Sequence, residues 1–246
     1  LAGRMTTYAA DLAWLPNGVQ AGVRLTVEAG RFVRIEPGPP AAGDVHLPGL
    51  VLPGFANTHS HAFHRALRGR THAGGGTFWT WRAAMYRVAE RLDPASYLSL
   101  ARATYAEMAL AGITCVGEFH YLHHAPDGTP YPDPNAMGLA LITAAREAGI
   151  RLTLLDACYV SGGLGADGPL ELTGAQRRFG DGSAEQRAQR AARLTPDGNT
   201  VIGSALHSVR ALPRSEIATV VAAATGRPLH VHLSEQPAEN EQSRAA

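Results

Sequence analysis

The chain has 246 residues, 45% of them hydrophobic and 17% charged, with a formal net charge of +1. That balance is ordinary for a soluble globular protein and gives no basis for a nucleic-acid or membrane surface as partner. No apolar run is long enough to span a bilayer, and the N-terminus lacks the charged-then-apolar layout of a signal peptide.

Residues 1–49 read as part of a small β-domain. Leu25-Thr26-Val27, Arg31 to Ile35 and Val45-His46-Leu47 are short β-like runs separated by Gly30 and a Gly38-Pro39-Pro40 turn. From residue 50 to 246 the pattern changes to alternating strands and helices. Strands are predicted over 50–58, 113–121, 151–160, 201–209 and 229–234, and helices over 96–111, 134–148, 184–194 and 214–225. Asp93-Pro94, Asp133-Pro134 and Pro213 mark helix starts, and Gly112, Gly149 and Gly226 mark helix ends. Glycine-rich segments at 74–76 and 161–168 fall in connections, and neither has phosphate-loop spacing. Cys115 and Cys158 both sit in apolar strand-like runs, which predicts buried thiols, no disulfide and a cytoplasmic location.

Strands alternating with helices imply a parallel sheet with right-handed crossovers. Each predicted strand carries polar or titratable residues at its C-terminal end: His59 and His61; Glu118, His120 and Tyr121; Asp156 and Tyr159; His207 and Arg210; His232 and Glu235. A (β/α)₈ barrel places its chemistry there, on residues drawn from several strands. A doubly wound sheet concentrates its ligand at one switch point instead. The expectation is therefore α/β, a barrel of which about five βα units are present, preceded by a small β-sandwich portion. Five units cannot close a barrel, and the chain starts at Leu1 and stops at Ala246. A piece of a longer enzyme is expected.

The most specific motif is Asn57-Thr58-His59-Ser60-His61. Side chains alternate along a strand, so the two imidazoles point the same way and can grip one divalent cation of zinc type. Alone, His-x-His is better explained by two surface histidines in a loop. A second pair, His230-Val231-His232, ends another apolar run, and His232 begins a His-x-x-Glu spacing with Glu235. That spacing favours His232 over His230 as the ligand, because it brings a carboxylate within reach of water on the metal.

His-x-His after the first barrel strand and His-x-x-Glu after the fifth resemble the amidohydrolase superfamily. Phe78-Trp79-Thr80-Trp81-Arg82, Gly117-Glu118-Phe119-His120-Tyr121, His207-Ser208-Val209-Arg210 and His230 to Gln236 narrow the resemblance to the formimidoylglutamate deiminases. These enzymes convert N-formimino-L-glutamate and water to N-formyl-L-glutamate and ammonia in histidine breakdown. The resemblance implies one zinc ion per subunit on His59, His61 and His232, and Glu235 as the proton-transferring catalytic residue. It also implies substrate contacts from Arg82, Tyr121, His207 and Arg210. His64 stands where the family usually has glutamine. A family aspartate ligand and a catalytic histidine fall beyond the end of the chain. A dicarboxylate suits Arg82 and Arg210, because guanidinium binds carboxylate through two parallel hydrogen bonds. Family members are commonly dimers, so a homodimer is expected, although no interface signature is evident. Two other readings compete: a deaminase of purine, pterin or triazine rings, and an inactive fragment.

Overall fold

The computed structural model describes residues 5–71, 76–165 and 167–245. Gly74 and Gly75 of the first glycine-rich connection lie outside the described residues, as does Ala166 of the second. The chain divides into two compact units, Leu1–Gly54 and Phe55–Ala246.

The first unit is a single sheet of β1 (Thr6–Leu15), β2 (Gly18–Glu28), β3 (Arg31–Pro37) and β4 (Val45–Val51), in the order β3-β2-β1-β4. The β2–β3 hairpin pairs Glu28 with Arg31 across Ala29 and Gly30, whose φ angles are +48° and +76°. Two successive positive φ values match the right-handed twist of a tight hairpin. Ala10, Ala13, Val23 and Leu25 form its small core. The three expected β runs all lie inside strands. β1 was not foreseen because its alanines are weak strand formers.

The second unit begins with β5 (Phe55–Ser60), a 3₁₀ turn (Ala62–Leu67), α1 (Phe78–Ala89), α2 (Pro94–Leu110), β6 (Ile113–His120), α3 (Ala136–Ala148) and β7 (Arg151–Cys158). A minimal hairpin of β8 (Leu164–Gly165) and β9 (Gly168–Pro169) follows, then α4 (Ala184–Ala191), β10 (Thr200–Ser208), α5 (Arg214–Ala223), β11 (Leu229–His232) and α6 (Pro237–Ala245). The strand expected over 50–58 is in fact two elements. β4 takes Leu50 and Val51, and Pro53-Gly54 interrupts the ladder before β5, since proline has no N–H to donate.

Five strands pair in the order β11-β10-β7-β6-β5, every neighbouring pair parallel. Spatial order follows chain order, so each crossover steps the same way and no switch point arises. That progression belongs to a barrel. The sheet also curls. A flat five-stranded sheet would hold its edges about 19 Å apart, four spacings of roughly 4.8 Å. Yet rings from the two edge strands, His59 at β5 and His232 at β11, come within 3.2 Å.

Local chemistry explains most boundaries. Asp93 and Ser96 form a reciprocal capping box at the start of α2 with Pro94 in its first turn. α3 begins at Ala136 rather than 134, because Asp133 Oδ1 accepts from the Asn135 N–H (2.9 Å) in a turn that precedes the helix. It ends at Gly149, whose φ of +75° suits the left-handed cap. α1 was missed because its opening Phe-Trp-Thr-Trp run has weak helix propensity. Thr77 and Thr80 cap it reciprocally. Neither cysteine is in a disulfide. Cys158 is buried, with its thiol pushed up to about 12 by that burial, while Cys115 is only half-buried. Among the described residues no helix is long and apolar enough to cross a membrane.

Candidate metal and substrate site

The C-terminal ends of β5 and β10 carry irregularities that aim their neighbours. On β5, Asn57 pairs with Val116 and Ser60 with Glu118, so Thr58 and His59 together face the single residue Gly117. A side chain on Gly117 would come within 2.8 Å of the Thr58 carbonyl, so glycine is required there. On β10, Leu206 pairs with Val231 and Ser208 with His232, leaving His207 as the extra residue. Bulges re-aim side chains, and here they turn histidines toward one another.

The ring nitrogens of His59, His61 and His232 lie within 4.8 Å of one another. Of the two β11 histidines, His232 joins this group. His61 Nδ1–H donates to the Phe119 carbonyl (2.8 Å), which settles its tautomer and leaves the Nε2 lone pair available. The Phe119 ring stacks on His232 at 4.0 Å between centroids and 18° between planes. One β6 residue thus orients two of the three rings. Glu118 steadies the same turn from below by accepting the Ala62 N–H at 2.6 Å. Its own carboxyl is pushed up to about 7 by burial.

Electrostatics keep these rings neutral. Burial, followed by repulsion from neighbouring rings, lowers His61 well below the ordinary imidazole value and brings His232 to about 4. Burial also lowers His59, with His230 adding to the effect. Neutral imidazole is the form that ligates a metal. Three neutral nitrogen donors suit zinc, which takes three protein ligands at catalytic sites and leaves a position open. The donor set fits.

His61, His64, Arg82, Tyr121, His207, Arg210, His232 and Glu235 all line one cavity with about 390 Å³ of empty space, open to solvent. His59 completes the triad without lining it. Tyr121, buried, shares a 2.9 Å hydrogen bond with His64 Nε2. Burial holds His64 at about 3, a neutral ring. Arg82 and Tyr86 sit four apart on α1, and the Arg82 Nε–H donates to the Tyr86 hydroxyl at 2.7 Å. His207 packs edge-on against Tyr159 (4.5 Å) and Tyr121 (4.9 Å). Arg210 donates from Nη2 to Glu235 and from Nε to Glu239. Burial raises the Glu235 carboxyl, partly offset by Arg210.

Sequence reasoning missed Phe119, Glu239 and most of the aromatic wall, Trp81, Tyr86 and Phe179, having noted only Tyr159 at its strand end. Phe119 and Trp81 stood inside motifs already singled out. Nothing in the sequence marked Glu239, whose contacts are all tertiary.

A second group, His120, His123 and Asp156, also has its potential ligand atoms within 4.8 Å of one another. It is wired differently. Asp156 accepts from Arg187 Nε (2.8 Å) and from Arg190 Nη1 (2.9 Å), and Arg190 also pairs with Asp181 (2.7 Å). His123 donates Nε2–H to the Ala157 carbonyl (3.0 Å). Burial pushes Asp156 up, but Arg190 and Arg187 more than reverse this and keep it ionised. The cluster is a charge-balanced buried network tying β7 to α4.

The comparisons with known proteins agree with this geometry. The chain is 41% identical over 249 residues to formimidoylglutamate deiminase of Pseudomonas aeruginosa, covering 98% of this chain and 54% of that relative. It is 31% identical over 112 residues to 8-oxoguanine deaminase of the same species, covering 43% of this chain and 25% of the relative. The crystal structure of an amidohydrolase from Brucella melitensis superposes with a TM-score of 0.91 at 36% identity, over 98% of this chain and 54% of that one. The chain thus spans about half the length of the proteins it matches most fully. Residues 50–246 match the Amidohydrolase family, and with a histidine triad set at the C-terminal ends of barrel-ordered parallel strands, the chain belongs to it.

Proposed function

We propose that the chain carries the zinc-binding and substrate-binding half of a hydrolase acting on N-formimino-L-glutamate, releasing ammonia and N-formyl-L-glutamate in histidine breakdown. One observation carries the reading: a triad of neutral imidazoles, two of them on the wall of a cavity, stands beside two arginines that line the same cavity. The relative at 41% identity bears a name of that activity. His59, His61 and His232 would hold the zinc, which when bound makes hydroxide available near neutral pH.

The remaining chemistry belongs to the side chains. Glu235, with its proton affinity raised by burial, takes a proton from water and passes it to the departing nitrogen. Arg210 and Arg82 hold the two substrate carboxylates as charge-assisted forks. Tyr121, whose phenol is kept protonated by burial, and neutral His64 and His207 supply uncharged hydrogen-bonding groups that orient the formimino end.

A second reading has its own support. Phe78, Trp81, Tyr86, Tyr121, Tyr159 and Phe179 give the cavity stacking surfaces suited to a purine or pterin ring, and one relative is named for deaminating 8-oxoguanine. Ammonia release by the native, zinc-loaded gene product separates the two. Turnover of formiminoglutamate with little from formiminoglycine, and a KM raised steeply by Arg210→Met, supports the first reading. Turnover of a ring alone, or an unchanged KM in Arg210→Met, replaces it with the second.

A further inference from the structure

Arg210 is not held by the ligand site alone. Its Nε–H donates to Glu239 Oε2 at 2.7 Å, and the Glu239 side chain is 1% exposed. The other Glu239 oxygen accepts the Ser234 N–H at 3.2 Å. Ser234 is one of two non-glycine residues with a positive φ among those described, at +57°. One buried carboxylate on α6 therefore joins the segment after β10 to the strained turn that carries Glu235. Phe78 covers the guanidinium face, with Cζ 5.8 Å from the ring centroid.

We propose that Glu239 is a positioning residue for ligand recognition, fixing through Arg210 the direction in which a guanidinium is offered to a carboxylate-bearing ligand. The inference rests on the dicarboxylate reading of the cavity. Nε lies nearest the stem of the side chain, so a bond there pins the plane of the group and leaves the terminal nitrogens to other partners. Glu235 accepts from Nη2. Without Glu239, Arg210 keeps only that partner and swings onto it, away from an incoming anion. The acidic residue four positions after Glu235 is thus tied to specificity without touching the ligand.

Binding of glutarate and of its neutral counterpart glutaramide, by calorimetry on native zinc-loaded protein, tests this. Zinc content and melting temperature are recorded for every variant. Arg210→Met and Glu239→Ala are each expected to weaken glutarate by on the order of tenfold or more, with glutaramide unchanged. Glu239→Gln, which keeps one acceptor, is expected to fall between wild type and Glu239→Ala. It also serves if Glu239→Ala fails to fold. In an Arg210→Met background, adding Glu239→Gln should cost nothing further. A purely structural carboxylate would still lower affinity there, and that result overturns the proposal. So does wild-type glutarate affinity in a zinc-replete Glu239 variant. No preference of the wild type for glutarate over glutaramide would instead remove the dicarboxylate reading, and this inference with it.

Discussion

Among its described residues the second unit holds two groups of potential metal ligands, each with its ligand atoms within 4.8 Å of one another, and they have opposite fates. His59, His61 and His232 sit at strand ends, two of them lining a cavity, and among the described residues none of the three has a carboxylate partner in an ion pair. His120, His123 and Asp156 are fully buried, and their one carboxylate is taken by Arg187 and Arg190. A dication entering the second group would displace or face two guanidiniums in a medium of low dielectric. Proximity of ligand atoms alone does not make a metal site. What decides is whether the charge that would hold the metal is already spent.

The sharpest break in that comparison comes from Asp156→Ala, which takes the carboxylate from buried Arg187 and one of two from Arg190. A loss of about 3–5 kcal/mol is expected, read from urea unfolding of metal-free protein. Asp156→Asn serves if the alanine variant does not fold. His61→Ala should do the reverse: zinc affinity falling by more than about 100-fold, above the range for partners outside the ligand set, with metal-free stability lowered by only about 1 kcal/mol for one hydrogen bond. Competition with a chromogenic chelator measures the first quantity. Equal stability losses in the two variants would erase the distinction.

Acid should separate the clusters in sequence. Protons compete for the imidazoles, so zinc is expected to leave as pH falls from about 6.5, the free imidazole value, towards 4, the value of His232. Burial pushes Asp156 and Asp181 up, but Arg190 and Arg187 on the first, and His124 and Arg190 on the second, bring their folded values below the ordinary carboxylate range. A depressed carboxylate contributes stability above its unfolded value of about 3.9, and that contribution is lost as pH falls through the folded value. The network should therefore survive to below about pH 4. Zinc-dye release and circular dichroism followed together test the order, and unfolding that precedes zinc release would reverse it. The smallest effect belongs to Phe119→Leu, which keeps the carbonyl for His61 but loses the stack on His232. Zinc affinity should fall by roughly tenfold or less.

Much of this was readable from the chain. His-x-His and His-x-x-Glu marked the triad, and each barrel strand ended in polar residues now found at one end of one sheet. Glycines after helices gave the ends of α2, α3 and α5 nearly to the residue. Elements built from weak formers escaped: β1 with its alanines, and α1 with its aromatic start. Arg82 entered through the family resemblance, not through any predicted helix. Only the packing of α1 over the strand ends brings it to the cavity wall.

The sequence by itself determined the periodicity of the strands and helices, the ligand-type residues and their spacing, because these depend on backbone geometry between near neighbours. The His-x-x-Glu spacing already favoured His232 of the His230–His232 pair, and tertiary structure brings it to the other two through a bulge at His207 and the sheet curl. Tertiary structure decided that Asp156 pairs with arginines 31 and 34 positions away, and that Glu239 holds Arg210 across 29. Those assignments require distant segments to meet, and no local pattern encodes the meeting.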